Sequence, residues 1–222
     1  MECTNSQNER RINIHLIRHG YAEHNEAKDT YGTRAYYSNK YRFSQLVKKG
    51  RKQAQDLRQY LDSKGITFDR VYTSSLDRAI QTTSILFPSD SDFNRNEIKV
   101  TDDLREINYA HPCNERKTLN ALVLSYPDFD YSLIPTNHDR LFVDGDTDNR
   151  FLSIIDEISK FTAEWYEKNQ SIPNIALVSH ESFLIELCHN YLGLDLRKID
   201  NCEIVSFGLD LENKNLCILA NQ

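Results

Sequence analysis

Ile12-Asn13-Ile14-His15-Leu16-Ile17 alternates, turns apolar and runs straight into Arg18-His19-Gly20. Alternation that gives way to a short apolar run reads as a buried β-strand, and a polar turn at its carboxyl end is where a sheet presents chemistry. Two other stretches repeat the plan. Phe68-Asp69-Arg70-Val71-Tyr72-Thr73 leads into Ser74-Ser75, which has the composition of a helix cap, and then into Leu76 to Leu86 at helical spacing. Ile175-Ala176-Leu177-Val178-Ser179-His180 leads into a helix from Ser182 to Cys188. Three strand-turn-helix units predict an α/β protein with a mainly parallel central sheet.

Working outward, helical patterns run from about Gly50 to Leu61 and from Arg150 to Trp165. In the second, Phe151, Ile154, Ile155, Ile158, Phe161 and Trp165 recur at three and four residues, so the stripe, Trp165 included, faces a core. Glu203 to Leu211 and Leu216 to Ala220, joined by Glu212-Asn213-Lys214-Asn215, predict a β-hairpin on one sheet edge. The stretch from about Asp90 to Phe142 lacks clear periodicity and holds most of the prolines. It reads as a pocket-shaping insertion over the carboxyl edge of the sheet.

The chain has 222 residues, 39% hydrophobic and 27% charged, which fits a single domain over 1–222 with one sizeable core. Its 27 Lys and Arg against 33 Asp and Glu give a net charge of −6, which argues against nucleic acid or an anionic membrane as partner. A phosphate site must then be local. No apolar stretch approaches the ~20 residues of a membrane span, and Met1-Glu2-Cys3-Thr4 opens no signal peptide, so the expected location is the cytoplasm. Cys3, Cys113, Cys188, Cys202 and Cys217 are odd in number and never spaced C-x-x-C; they read as reduced, mostly buried thiols.

Several chemistries are excluded. With seven glycines, no two closer than 12 positions, neither G-x-G-x-x-G nor a P-loop exists, so no nucleotide cofactor is expected. Cys113-Asn114-Glu115-Arg116 lacks the glycines of a thiolate anion loop. Asp144-Gly145-Asp146-Thr147-Asp148 opens like a calcium loop, but Asn149 stands where glycine is required and Ile155 where the bidentate Glu belongs, so no metal site is expected.

What remains is Arg18-His19-Gly20 at a strand end, with Asn25 beyond it. A histidine there can be purely structural. Yet an imidazole whose other nitrogen is fixed by a carbonyl is a good nucleophile toward phosphorus, a flanking guanidinium can hold phosphoryl oxygens, and Gly20 lets the backbone approach an anion.

Leu16-Ile17-Arg18-His19-Gly20-Tyr21-Ala22-Glu23-His24-Asn25 resembles the signature of the histidine phosphatase superfamily, the phosphoglycerate-mutase-like proteins. Thr73 to Thr82 resembles the segment carrying that family's second phosphate-binding arginine, here Arg78. Leu104-Arg105-Glu106 resembles its proton-donor segment, and Leu177-Val178-Ser179-His180 its second histidine. The four patches, in order, span about residues 12 to 192.

The resemblance implies a three-layer αβα fold of the phosphoglycerate-mutase-like kind. It implies catalysis by His19, Glu106, His180, Arg18 and Arg78, with His19 forming a phosphohistidine. Arg18, Asn25, Arg78 and a protonated His180 would hold the phosphoryl oxygens, and Glu106 would protonate the leaving group and then activate water. No metal or cofactor is implied, because positioned cations can stabilise a phosphoryl group in flight. The substrate expected is a small-molecule phosphomonoester.

Two departures stand out: Glu181 follows the second histidine and Ala110 closes the donor segment, both where the family commonly has glycine. Glu181 could raise the pKa of His180, repel a second anionic group, or simply open the following helix. His15, His24, His111, His138 and His189 read as structural, with His24 and His111 nearest the pocket. The segments typical of mutases are missing, and Ile107 to Arg116 is more similar to broad-specificity phosphatases of plants and fungi. A phosphatase is therefore expected, with mutase-type phosphoryl transfer and a non-catalytic phospho-ligand module as alternatives. Oligomeric state has no signal in the sequence.

Overall fold

The computed structural model describes residues 11–89, 93–107, 110–144, 149–210 and 215–217. Six strands, β1 (Arg11–Arg18), β2 (Arg70–Ser74), β3 (Lys99–Thr101), β4 (Asn174–Ser179), β5 (Ile204–Asp210) and β6 (Asn215–Cys217), form one sheet in the order β3-β2-β4-β1-β5-β6. β1 runs parallel to β4, with Leu16 opposite Leu177 and Arg18 opposite Ser179. β2 runs parallel to both β4 and β3. β5 and β6 are the antiparallel pair at the other edge, the hairpin expected from the sequence. Its turn lies outside the described residues.

The helices are α1 (Glu23–Tyr31), α2 (Lys48–Lys64), α3 (Asp77–Leu86), α4 (Leu119–Ser125), α5 (Arg140–Asp144), α6 (Asn149–Asn169) and α7 (Glu181–Leu187). Because a strand's side chains alternate, the central strands feed two cores. Ile12, Ile14, Leu16, Ile175 and Leu177 pack with Ile154 and Ile158 of α6 and Phe183 and Leu187 of α7. Ile17, Val71, Ala176 and Val178 pack on the opposite face with Ala54, Leu57 and Leu61 of α2 and Ala79 and Ile80 of α3. The result is a three-layer αβα fold. Each fully buried aliphatic side chain contributes roughly 1.5–3 kcal/mol of hydrophobic stabilisation, enough in sum to hold the strand ends where the site is built.

Three expectations change. The 90–142 stretch supplies an edge strand, β3, whose three residues are too few to show a period; an isolated pairing of Lys99 with Asp130 extends that edge. Ser74 and Ser75 do not cap α3, since Leu76 occupies the cap position without a side-chain bond. Their hydroxyls turn instead to His180 and to Asp102. Gly20 does serve a close approach, but to protein: a Cβ there would lie 2.6 Å from the Gly50 carbonyl oxygen at the start of α2, and one on Gly50 would lie 2.0 Å from the Tyr21 oxygen. Of the calcium-like stretch Asp144 to Asp148, residues 145–148 lie outside the described residues, and Asp144 ends α5.

Candidate active site

The carboxyl ends of β1, β2 and β4 open onto one cavity of about 220 Å³, the position where parallel sheets place ligands. β1 delivers Arg18 and His19, the first turn of α3 after β2 delivers Arg78, and β4 runs into His180 and Glu181. The loop before β5 grips the β1 end. Asn201 Nδ2 donates to the His19 carbonyl at 2.9 Å, the Cys202 amide donates to the Arg18 carbonyl at 3.0 Å, and Arg18 Nη1 donates to the Ile199 carbonyl at 2.7 Å. Cys202 makes its bond from φ 59°, a conformation uncommon for a non-glycine residue and often kept where a site needs it.

His19 is buried, and its Nδ1 lies 2.7 Å from the Gly20 carbonyl oxygen. A carbonyl only accepts, so Nδ1 carries the proton and Nε2 keeps its lone pair. Arg78 Nε donates to that Nε2 at 3.2 Å. Burial, then the charges of Arg78 and Arg18, holds His19 well below the usual histidine range, against the weaker pull of the Gly20 bond. His19 is thus a neutral imidazole with one nitrogen pinned and the other exposing a lone pair to the guanidinium. That is the state of a nitrogen nucleophile.

Arg78 is itself almost fully buried, its Nη1 donating to the Cys113 carbonyl at 2.6 Å and its Nη2 to Asn114 Oδ1 at 2.8 Å. Asn25 accepts from the Ala22 amide through Oδ1 at 3.0 Å, which leaves its amide nitrogen as the donor for the cavity. Glu106 lines the cavity with Oε1 accepting from the Ile107 and Phe183 amides at 2.9 and 3.2 Å and Oε2 from the Ser182 amide at 3.4 Å. His180 stands with its ring centroid 5.0 Å from that of His19. The cavity therefore brings together Arg18, His19, Asn25, Arg78 and Glu106, with the His180 ring beside that of His19.

The profile of the histidine phosphatase superfamily, branch 1, matches residues 14–219, across all of these groups. The chain belongs to this superfamily. Phosphoglycerate mutase-like protein 1 of Arabidopsis thaliana is 25% identical, over 87% of this chain and 79% of its own length. A broad-specificity phosphatase of Saccharomyces cerevisiae is 37% identical over 84 residues, which are 38% of this chain and 33% of that protein. The crystal structure of phosphoglycerate mutase from Bacillus anthracis shares the fold, with a TM-score of 0.60 at 17% identity over 98% of this chain and 95% of that one. Histidine phosphatase relatives of these kinds are phosphatase or mutase enzymes.

Within this histidine phosphatase fold, one sequence reading needs correction. His180 is not protonated: burial, then the Arg78 charge, then the neighbouring His19 and His24, lowers it well below the usual range. Ser74 Oγ accepts from the Leu76 amide and lies 2.8 Å from His180 Nε2, which ties up that nitrogen and leaves Nδ1 as the other. That Nδ1 is buried and without a partner among the described residues. Glu181, for its part, opens α7, one of the readings left open for it, and pairs with Arg18 at 2.9 Å.

Cys113 lines the cavity, but burial raises its thiol above the ordinary range, so it is no thiolate. His24 and His111 do reach the pocket. His24 is held by Ser44 Oγ at 2.9 Å, and His111 stacks on Tyr36 with centroids 5.0 Å apart. No sequence signal marks Lys28, Tyr36 or Asn114 as lining groups, nor the ion pairs behind them. Arg105, whose side chain is fully buried, forks onto Asp139 at 2.6 and 2.8 Å and also donates to the Asn114 carbonyl. Buried Arg116 pairs with Asp102 at 2.9 Å. Among the described residues no three His, Cys, Asp or Glu side chains converge as metal ligands, and no helix is long and apolar enough to cross a membrane.

Proposed function

We propose that the chain is a metal-independent phosphatase that hydrolyses a small-molecule phosphomonoester through a phosphohistidine at His19. The observation that carries this reading is the pinned, neutral His19, its Nε2 lone pair beside the Arg78 guanidinium in a cavity of about 220 Å³. In the first step His19 Nε2 bonds to phosphorus as the ester P–O bond breaks, and the leaving oxygen takes a proton from Glu106. In the second, Glu106 accepts a proton from water as the oxygen attacks phosphorus, the N–P bond breaks and phosphate departs. Arg18, Arg78, the Asn25 amide and His180 hold the phosphoryl oxygens, whose charge grows toward the transition state.

Relatives named as mutase-like keep transfer in view, but the 37% identical relative is a broad-specificity phosphatase, and this reading follows it. The test is the purified chain on phosphomonoesters, with free phosphate and transferred phosphate counted separately. Free phosphate should dominate. Interconversion of phosphoglycerates that needs a bisphosphoglycerate primer and releases little phosphate would make it a mutase, and binding of phosphomonoesters without either reaction would make it a ligand module. The proposed organisation is a single domain acting in the cytoplasm.

A further inference from the structure

The cavity's charges balance in an informative way. Its lining carries Arg18, Arg78 and Lys28 against Glu106 and Glu181, while the lining histidines His19, His24 and His111 are all lowered by burial and neutral. With Glu106 protonated for its role as acid, the lining is doubly positive, which matches one phosphoryl dianion and leaves nothing for a further anion.

Where the second carboxylate sits matters as much. Glu181 is the first residue of α7, and its Oε2 lies 2.9 Å from Arg18 Nη1. The next two amides of the same helix, Ser182 and Phe183, donate to Glu106. One helix start therefore fixes both carboxylates on one stretch of wall. If Glu106 hands its proton to the leaving oxygen, the alcohol departs along that stretch, past Glu181. Arg18, the nearest cation, is already shared between Glu181 and the phosphoryl group. Glu181 is about a third exposed, so its charge faces the cavity as well as its partner.

We propose that Glu181 is a specificity-determining residue, selecting phosphomonoesters of neutral or cationic alcohols against those whose alcohol carries a carboxylate or a second phosphate. This rests on the phosphatase reading and names its substrate class. Like charges a few ångströms apart at the rim of a protein interior repel strongly enough to change relative rates by roughly tenfold.

The test compares kcat/KM of the full chain on glycerol 1-phosphate, 3-phosphoglycerate and phosphoethanolamine. The first two share a three-carbon skeleton and differ by the carboxylate. Wild type should favour phosphoethanolamine and glycerol phosphate over phosphoglycerate. Glu181→Gln should raise phosphoglycerate relative to glycerol phosphate roughly tenfold, and Glu181→Asp, which keeps the charge, should retain the discrimination. A merely structural role for the Arg18 pair would move all three esters by one factor in both variants, and that result overturns the proposal. Turnover of none of the three would instead overturn the phosphatase reading. The dissociation constants of the same esters for wild type and Glu181→Gln, by calorimetry, would then decide Glu181 by the same ratio.

Discussion

At the ends of β1, β2 and β4 the sheet itself sets the positions of Arg18, His19 and His180, whereas the wall from Leu104 to Asp139 is held by buried charges. The strand ends are fixed by burial on both faces of the sheet: Ile14, Leu16, Ile17, Ala176, Leu177 and Val178 are all at most 2% exposed, and the strands that bury them carry the polar residues at their ends. Among its described residues the wall holds no strand of the sheet, only a short helical turn at Pro112–Asn114 and α4. It is organised by a chain of bonds from Asp139 to Arg105, to Asn114, to Arg78, and so to His19 Nε2. The irregular half thus aims the arginine that faces the nucleophile of the regular half. Precision in this site comes from a polar network as much as from the sheet.

The two halves should fail differently when broken. Removing the acid of the wall, Glu106→Gln, should lower kcat/KM for alkyl phosphates by about 10²–10⁴-fold and for p-nitrophenyl phosphate far less, because that leaving group needs little protonation and kcat/KM reports only the steps through phosphorylation of His19. Removing Arg78, which serves the phosphoryl unit common to all substrates, should slow both by a similar factor, roughly 10²–10³. Steady-state kinetics on the two esters check this. A uniform loss for Glu106→Gln, or a leaving-group-dependent loss for Arg78→Ala, would erase the division between the halves.

The wall's dependence on its ion pair comes next in size. Burial pushes the Asp139 carboxyl up, but the Arg105 guanidinium and the amides of Arg116 and Phe142 outweigh it and hold it below the usual range. Asp139→Ala would leave the fully buried Arg105 with only its longer pair to Asp102 at 3.8 Å, which should cost about 3 kcal/mol of stability. At temperatures where the variant stays folded, kcat should fall because Asn114 no longer aims Arg78. Urea unfolding with parallel kinetics reads both, and a variant as stable and active as wild type would show that the network does not organise the wall.

The strand-end half has a pH signature instead. His19, His24 and His180 are held well below 6.5 in the fold, each by burial first, and would titrate near 6.5 in the unfolded chain. As pH falls through about 6.5 the unfolded state takes up protons that the folded state refuses, so their stability is present in full above that pH and is lost below it. The slope is at most about 1.4 kcal/mol per pH unit for each histidine. Urea midpoints should be flat from about pH 8 to 7 and decline below about 6.5, with the m-value unchanged. A flat midpoint down to about pH 5 would mean that the three rings are not buried neutral.

Legibility in the sequence divides along the same line. The strand-turn-helix units, the closing hairpin and the positions of Arg18, His19, Arg78 and His180 come from burial periodicity and a local motif, both of which a chain displays in order. β3 is not visible there because three residues cannot show a period. Asn114, Tyr36 and Lys28 are not visible because their role depends on partners tens of residues away. Arg105 stands in view as part of Leu104-Arg105-Glu106, but that its guanidinium is buried against Asp139 is a fact of packing between segments, with no local signature. Glu181 is visible as a departure from glycine, yet only the structure shows that it pairs with Arg18.

The most direct test of the account is to trap the intermediate. Glu106→Gln, given p-nitrophenyl phosphate labelled at phosphorus and quenched in alkali, should form the covalent adduct readily and hydrolyse it slowly, because the group that activates water is gone. The expected result is label approaching one per chain, stable to base and labile to acid, on the peptide that contains His19 and absent from His19→Ala. Label on Ser74, Cys113 or a carboxylate, or His19→Ala turning over at the wild-type rate, would contradict it.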